Sequence, residues 1–373
     1  MIYLDCAATS LQKPRAVAQA VTHAMQTMSS PGRGAYPAAM LASDTVYSCR
    51  EALAELLHVP EPESIVFTMN ATHALNIAIG SLVRPGDRVV VSGYEHNAVM
   101  RPLYLRGARI TVAQSPLFSP AEAVEAFRRA LPGAQAAVCT HVSNVFGFIQ
   151  PVEEIAAICR SRNVPLIVDA SQSAGILPLD MTELGAAFIA MPGHKGLYGP
   201  QGTGVLLCGK GVTPRTLLEG GTGSLSIQQE MPDFLPDRLE AGTHNMPGIA
   251  GLLAGVRFVR RRGEHSICDR ERRLALLTAE GLRAIPGVRV YAMPGLRNQA
   301  GVLSFTAEGR DVEDIGSALA ERGIAVRTGI HCAPLAHQSA GTLESGTVRV
   351  SFSDFNRPDE VHRFLTALED CLR

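Results

Sequence analysis

Short apolar runs alternate with amphipathic segments along the first two-thirds of the chain. The runs are rich in Val and Ile, as is typical of strands covered on both faces of a sheet. We therefore expect them to form one seven-stranded sheet. The predicted strands are Ile65–Thr68, Arg88–Ser92, Arg109–Ala113, Ala136–His141, Pro165–Asp169, Ala186–Ala190 and Gly204–Cys208.

Helix patterns lie between many of these runs. Ser43–Leu57 carries Leu53, Leu56 and Leu57 on one side, and Pro151–Arg160 starts with Pro at a first-turn position. Strand–helix alternation predicts a mostly parallel sheet with helices on both faces. Only residues 191–203 separate the last two strands, too few for a helical crossover, so we expect that pair to be antiparallel.

The pattern changes after a helical stretch from Met246 to Arg283. Short strands and helices then alternate, which predicts a smaller α+β domain of residues 251–373 together with the N-terminal segment 1–14. Residues 15–250 would form the large α/β domain. The predicted strands are Val288–Ala292, Gly301–Thr306, Ile324–Thr328 and Thr347–Ser353, and the predicted helices are Asp311–Arg322 and Arg357–Cys371.

Composition narrows the classes of function. The chain has 373 residues, of which 46% are hydrophobic and 18% charged, and its formal net charge is -1. This lacks the positive field that binding to nucleic acids or anionic membranes normally uses. The apolar runs are too short to cross a membrane, and the start MIYLDCAATS does not resemble a secretory signal. We expect a cytoplasmic protein that binds neither nucleic acid nor membrane.

Eight cysteines occur, without a C-x-x-C pair or zinc-like spacing, so we expect no metal site. Cys139 and Cys208 lie in strand-like runs and are expected to be buried thiols. Cys332 differs, because a loop of small and polar residues follows it. A positive charge nearby, such as His331 or an arginine, would raise its thiolate fraction. An inert loop cysteine is the alternative.

Lysine is rare, at positions 13, 195 and 210 only. Lys195 follows an apolar strand and lies in a glycine-rich segment. A lysine that binds a cofactor covalently needs such a shielded pocket and fixed backbone. Lys13 and Lys210 are interpreted as ordinary surface lysines.

Two further segments fit a site for pyridoxal phosphate. Asp169 ends a strand, where open α/β sheets bind ligands, and its carboxylate would keep the ring nitrogen protonated. Gln172 could contact the ring hydroxyl. Around Ala71 and Thr72 a strand gives way to a helix, whose free N–H groups suit a phosphate. A turn residue and a plain helix cap are the respective alternatives.

His96 follows the next strand, and its imidazole could stack on the cofactor ring. An ordinary polar loop residue is the alternative for this histidine. The prediction of a pyridoxal-phosphate site thus depends on all of these segments occurring together in one chain.

Taken in order, these segments resemble the class V aminotransferase family, which has the α/β fold of the fold-type I pyridoxal-phosphate (PLP) transferases. Within it they are most similar to the group II cysteine desulfurases and selenocysteine lyases. The resemblance runs from Tyr3 to Ser351. Its most diagnostic stretches are Gly193-His194-Lys195, Glu240-Ala241-Gly242-Thr243 and Arg327 to Pro334.

The resemblance implies pyridoxal 5′-phosphate as the cofactor, a homodimer, and roles for residues of the large domain. Lys195 would bind the cofactor covalently and then move protons at the substrate Cα. The other implied contacts are Asp169 to the ring nitrogen, His96 stacked on the ring, Gln172 to the ring hydroxyl, and Ala71, Thr72, His194 and, from the partner subunit, Thr243 to the phosphate.

The resemblance also implies the substrate chemistry. Asn144 would lie near the cofactor and the substrate carboxylate, which Arg349 would grip with two prongs. Cys332 would attack the sulfur of L-cysteine and become a persulfide, leaving L-alanine. L-Selenocysteine is an alternative substrate, and a sulfur-acceptor protein would be a further partner.

The sequence also allows other functions, and it departs from the family pattern at four positions. The chain could be another class V aminotransferase or PLP lyase, or an inactive persulfide carrier or scaffold. Cys6 replaces a usual Asn, Tyr36 a frequent His and Ile330 the first His of a common His-His-Cys. Pro192 replaces a frequent phosphate-binding Ser, which puts one phosphate contact in doubt.

Overall fold

The computed structural model describes residues 1–32 and 34–373. Its strands are β1 (Ile2–Tyr3), β2 (Ile65–Thr68), β3 (Arg88–Ser92), β4 (Arg109–Ala113), β5 (Ala136–Thr140), β6 (Leu166–Asp169), β7 (Phe188–Pro192), β8 (Gly204–Cys208), β9 (Val288–Tyr291), β10 (Val302–Ala307), β11 (Ile324–Ala325), β12 (Arg327–Gly329) and β13 (Thr347–Ser351).

The α-helices are α1 (Arg15–Thr27), α2 (Pro37–Leu57), α3 (Ala71–Leu82), α4 (Asn97–Leu105), α5 (Pro120–Ala130), α6 (Val152–Ser161), α7 (Met181–Leu184), α8 (Met246–Arg262), α9 (Glu264–Ala284), α10 (Val312–Glu321), α11 (Pro334–Ala340) and α12 (Pro358–Leu372). None of these helices is both long enough and apolar enough to span a bilayer.

The seven predicted strands form one sheet in the order β2-β8-β7-β6-β5-β3-β4. Neighbouring strands from β7 to β4 are parallel, whereas β8 is antiparallel to both β7 and β2. The predicted α/β fold and the antiparallel pair are therefore confirmed. Strand β7 begins and ends two residues later than predicted, and its last residue, Pro192, pairs with Gly204.

Helices cover both faces of this sheet, which explains the continuous apolar runs. In β3, Val90 packs into the core beneath α2, α5, α6 and α8, while Val89 and Val91 pack into the core beneath α3 and α4. A strand buried on both faces has no polar alternation. Helix α2 begins at Pro37 rather than at the predicted Ser43, since a proline is tolerated in a first turn.

A second, antiparallel sheet has the order β12-β13-β10-β9. It shares a core with α9, α10 and α12. The predicted single strand Ile324–Thr328 is wrong: β11 pairs with the N-terminal β1, and β12 pairs with β13. The N-terminal segment is thereby held beside the second sheet.

The predicted helical stretch Met246–Arg283 divides at Gly263, whose φ of 81° breaks the helix. Helix α8 packs against α1 and α2, and the core of the large sheet extends to Ile267. The predicted division after residue 250 stays a prediction.

Candidate active site

A cavity of about 190 Å³ lies at the carboxyl ends of the parallel strands. This is where open α/β sheets bind ligands. Eight of the eleven site residues predicted from the sequence line it. They are Ala71, Thr72, His96, Asn144, Asp169, Gln172, His194 and Lys195.

Lys195 follows β7 and lines the cavity. Burial lowers the pKa of its amine to about 8, while the charge of Asp169 opposes this shift. A Cβ on the next residue, Gly196, would collide with the carbonyl oxygen of Ala174. Glycine there lets the Lys195 segment lie against the turn that follows Asp169. The lysine is thus fixed, shielded and readily deprotonated.

Asp169 ends β6 and is buried. Its Oδ1 accepts a hydrogen bond from the backbone N–H of Ser171 at 2.9 Å. Among the described residues, Oδ2 has no hydrogen-bond donor, so it can accept one from a ligand. Gln172 donates from Nε2 to the Ala7 carbonyl at 2.9 Å, which leaves Oε1 as an acceptor beside the cavity.

His96 caps the N-terminus of α4. Its Nδ1 accepts a hydrogen bond from the backbone N–H of Ala98 at 3.0 Å, so the neutral ring carries its proton on Nε2. Burial lowers the pKa of His96, although the charge of Asp169 opposes the effect. The imidazole is therefore a neutral, oriented flat surface at the cavity wall.

The phosphate site predicted at the start of α3 has the required backbone. Asn70 caps the helix by accepting from the His73 N–H at 2.9 Å, and the cap leaves the N–H groups of Ala71 and Thr72 without a backbone acceptor among the described residues. A Cβ at Gly204 would lie 2.6 Å from the Asn70 carbonyl carbon. Glycine at this position of β8, which has no Cβ, therefore leaves room for the loop before α3 to pack against the strand.

His194 lines the cavity, with Nδ1 3.0 Å from the Thr9 hydroxyl. Burial, reinforced by the charges of Lys195 and Lys13, lowers its pKa to about 4. His194 is hence neutral at physiological pH and would contact an anion by a hydrogen bond. Pro192 also borders the cavity but has no hydroxyl group, so the contact that a serine would make there is missing.

Lys13 is only partly exposed, whereas the sequence interpretation made it an ordinary surface lysine. Its Nζ donates to the Ser10 hydroxyl at 2.9 Å, and burial lowers its pKa to about 8. The fold brings the N-terminal segment over the His194 loop, where Ser10 donates to the His194 carbonyl at 3.0 Å. Sequence position alone did not reveal this packing.

Arg349 lies on β13 and is buried. Its Nη1 donates to the Asn144 carbonyl at 2.9 Å and its Nη2 to Asp5 Oδ1 at 2.6 Å. We predicted that Arg349 binds the substrate carboxylate through both of its terminal nitrogens. Each of these nitrogens already donates to one acceptor within the chain. Asp5 is a site residue that the sequence interpretation did not assign, although it lies in the opening motif.

Cys332 is exposed, unlike Cys139 and Cys208, which are buried as expected. It borders an open groove of about 740 Å³ that shares Thr72 and His96 with the cavity. The thiol thus lies at the mouth of the site.

The backbone at the thiol is left-handed at two successive non-glycine residues, with φ of 50° at His331 and 56° at Cys332. Such conformations persist only where surrounding contacts hold them, and they cluster at functional sites. Here the Cys332 carbonyl accepts from the backbone N–H of Asn97 at 2.8 Å.

His331 does not supply the positive charge that we expected near Cys332. Its ring is buried, with Nε2 3.1 Å from the Thr347 hydroxyl, and it stacks on His337. Burial, with a contribution from the charge of Arg349, lowers the pKa of His331 to about 2. His331 is therefore a neutral, buried residue beside Cys332.

Thr243 is exposed and lies outside the residues that line the cavity of its own chain. Tyr36 is also exposed and accepts a hydrogen bond from the Ser29 hydroxyl at 3.1 Å. Thr140 and Ser171 line the cavity but were missed in the sequence. Their signal was their position at strand ends, since Thr140 ends β5 and Ser171 closely follows Asp169 at the end of β6.

The sequence profile of the aminotransferase class-V family matches residues 2–364. The chain belongs to the class V aminotransferase family. A probable cysteine desulfurase from Methanothermobacter thermautotrophicus is 34% identical over 384 residues, covering 99% of this chain and 94% of that protein. Another from Xylella fastidiosa strain Temecula1 is 35% identical over 382 residues, covering 99% and 90%.

Solved structures of cysteine desulfurases have the same fold as this chain. The apo cysteine desulfurase of Thermococcus onnurineus NA1 has a TM-score of 0.90 and 31% identity, and the cysteine desulfurase CsdA of Escherichia coli has 0.86 and 28%. Each comparison covers 99% of this chain and 94% of the other. The predicted resemblance, fold and enzyme class are confirmed.

Proposed function

We propose that this class V enzyme is a homodimeric, PLP-dependent cysteine desulfurase that converts L-cysteine to L-alanine. The observation that carries the proposal is the exposed thiol of Cys332 in a groove that opens onto the cavity of Lys195 and Asp169. Transamination does not require a nucleophilic thiol at that position. L-Selenocysteine fits the same groups.

The residues of the cavity fit pyridoxal 5′-phosphate. An amine with a lowered pKa, a carboxylate oxygen without a donor and a neutral imidazole match its aldehyde, ring nitrogen and ring face. Free N–H groups at the start of α3 and the ring of His194 match its phosphate. When bound, this cofactor withdraws electrons from the substrate Cα.

The chain's own groups then have distinct tasks. Arg349 binds the substrate carboxylate. Asn144 lies beside Arg349, from which its backbone carbonyl accepts a hydrogen bond. Lys195 moves protons at the substrate Cα and is suited to this because its pKa lies near physiological pH. The Cys332 thiolate forms a bond to the substrate sulfur as the carbon–sulfur bond breaks, and the electron pair of that bond stays with carbon, which is protonated to give alanine.

Assembly completes the site in this proposal. Thr243 is exposed and does not line the cavity of its own chain, so Thr243 of the partner subunit would contact the phosphate. The open groove at Cys332 would admit a sulfur-acceptor protein. All eight cysteines are free thiols, which supports a reducing, cytoplasmic location.

The test is to incubate purified holoenzyme with L-cysteine and a reducing agent and to measure sulfide and alanine together. We expect equal amounts of both products, because each turnover breaks one carbon–sulfur bond. A keto acid that retains the sulfur would instead indicate an aminotransferase, and pyruvate formed with sulfide and ammonia would indicate a different lyase.

A further inference from the structure

Asp5 lies between two arginines of the second sheet. Arg327 on β12 and Arg349 on β13 are directly opposite each other in an antiparallel pair. Side chains at such positions share one face of the sheet, with their Cβ atoms about 4.5–5.5 Å apart, and like charges there repel. Asp5 Oδ1 is 2.6 Å from Arg349 Nη2, and Oδ2 is 3.9 Å from Arg327 Nη1.

The place of Asp5 is fixed by backbone contacts. Asp5 forms a parallel bridge with Ser351 at the end of β13, and the Leu4 carbonyl accepts from the Ser351 N–H at 2.8 Å. The carboxylate therefore approaches both guanidinium groups from the N-terminal segment. It offsets a repulsion that the two strands alone would create.

The charges of this cluster do not balance. Two guanidinium groups share one carboxylate, which leaves a net charge of +1. The cluster lies beside the proposed site of chemistry, because Arg349 donates to the backbone carbonyl of Asn144, which lines the cavity. Arg349 is held rigidly, because its Nη1 also donates to Asn144, and its buried Nε has no acceptor among the described residues. One further anion would neutralise the cluster.

We propose that Asp5 is a positioning residue that holds Arg349 and Arg327 together as a site for a single carboxylate, that of the amino-acid substrate. The inference rests on the proposed function in taking an amino acid as the substrate. Asp5 acts through the arginines and does not contact the substrate amine or sulfur. Its removal should therefore weaken only those ligands that carry the carboxylate.

A pair of ligands separates this role from a general structural one. L-Alanine and ethylamine share the amine and the methyl group, but ethylamine lacks the carboxylate. Titration of each into holoenzyme, followed by the absorbance of the bound cofactor, gives two dissociation constants for each variant. The comparison needs no turnover.

We expect Asp5→Ala to raise the dissociation constant of L-alanine on the order of tenfold to a hundredfold, because Arg349 and Arg327 then repel each other and lose the geometry that a carboxylate needs, which outweighs the added positive charge. The constant for ethylamine should stay within about twofold. Asp5→Asn, which keeps an acceptor oxygen, should fall between wild type and Asp5→Ala, and it serves if the alanine variant does not fold. With L-cysteine, KM should rise by a similar factor while kcat changes less than about threefold.

Asp354 offers a matched control. Its carboxylate is also largely buried and pairs with arginines, at 2.9 Å from Arg262 and 3.9 Å from Arg270. It does not line the cavity. Asp354→Ala should lower the temperature of unfolding and leave the ratio of the two dissociation constants unchanged.

Two results would overturn the inference. One is an equal loss of affinity for L-alanine and ethylamine in Asp5→Ala, and the other is no change for either ligand. Failure of the proposed function is distinguishable, because wild-type enzyme would then release no sulfide from L-cysteine, whatever the titrations give.

Discussion

The side chain of Asn144 donates from Nδ2 to the carbonyl oxygen of His331 at 2.9 Å. The backbone carbonyl of Asn144 in turn accepts from Arg349 at 2.9 Å. One residue thus joins the proposed carboxylate site to the residue before Cys332. The left-handed backbone at His331 and Cys332 is held by such contacts, which fix the thiol relative to the proposed carboxylate site.

The first prediction concerns the covalent lysine. Borohydride reduction of holoenzyme should fix the cofactor to Lys195, and Lys195→Ala should abolish that fixation. In cofactor-free protein, reaction of Lys195 with pyridoxal should increase with pH around a midpoint near 8, because burial lowers the pKa of its amine to about 8. Peptide mapping by mass spectrometry after reduction measures both.

Lys13 is the stringent control, since burial lowers its pKa to about 8 as well. Lys13→Ala should leave the reducible bond intact. Cofactor fixed covalently in the Lys195→Ala variant would refute the assignment.

The sequence predicted most of the large sheet because residues such as Val89, Val90 and Val91 are apolar on both faces, a pattern that needs no tertiary information. It could not predict charge states that depend on packing. His331 was expected to be cationic and is buried and neutral, and Lys13 was expected at the surface. Asp5 and Arg349 are 344 residues apart, so their contact exists only in the folded chain.

The second prediction concerns a buried acid outside the cofactor cavity. Glu271 of α9 is buried and has no hydrogen-bond donor among the described residues, and it borders a small cavity with Cys6 and Tyr198. Burial, reinforced by the charge of Asp354, raises its pKa well above the usual range. The folded state then retains a proton that the unfolded chain releases above its own pKa, about 4.3, so stability falls as pH rises from there toward the folded-state pKa.

Glu271→Gln removes this ionisation while keeping the shape of the side chain. We expect the variant to have a larger free energy of unfolding than wild type at pH 8 and a smaller gain, or none, at pH 5. Denaturant titration at both values measures this. Glu280→Gln, at an exposed position of the same helix, should show no such pH dependence. An equal effect of Glu271→Gln at both pH values would contradict the argument.

The third prediction tests whether each site draws on two chains. Lys195→Ala removes the covalent lysine, and Thr243→Asp places a negative charge against the phosphate. Each homodimer should be nearly inactive. If Thr243 acts across the interface, a mixed dimer contains one site with the native lysine and the native threonine.

Unfolding and refolding the two variants together in equal amounts should therefore restore up to about a quarter of wild-type activity, because random assembly makes half of the dimers mixed, with one intact site each. Each variant refolded alone is the control. A threonine acting within its own chain would give no restoration, since every site of the mixed dimer would then carry a defect.

The last prediction decides whether Cys332 takes part in the chemistry. Its thiol is exposed at the mouth of the site, and no described group of the cofactor cavity depends on it for a hydrogen bond. Cys332→Ala should therefore keep the affinity for cofactor and for L-alanine. It should lose at least about 99% of alanine formation from L-cysteine, because removal of a catalytic nucleophile costs about two orders of magnitude in rate or more. Cys371 is partly exposed on α12 and lines neither the cavity nor the groove, so Cys371→Ala is the matched control and should behave as wild type. Alanine is measured under identical conditions for the three proteins, with L-selenocysteine as a second substrate whose weaker carbon–selenium bond needs less help from a thiol. Equal rates of alanine formation from L-cysteine in wild type and Cys332→Ala would make the thiol a bystander and would favour a general lyase.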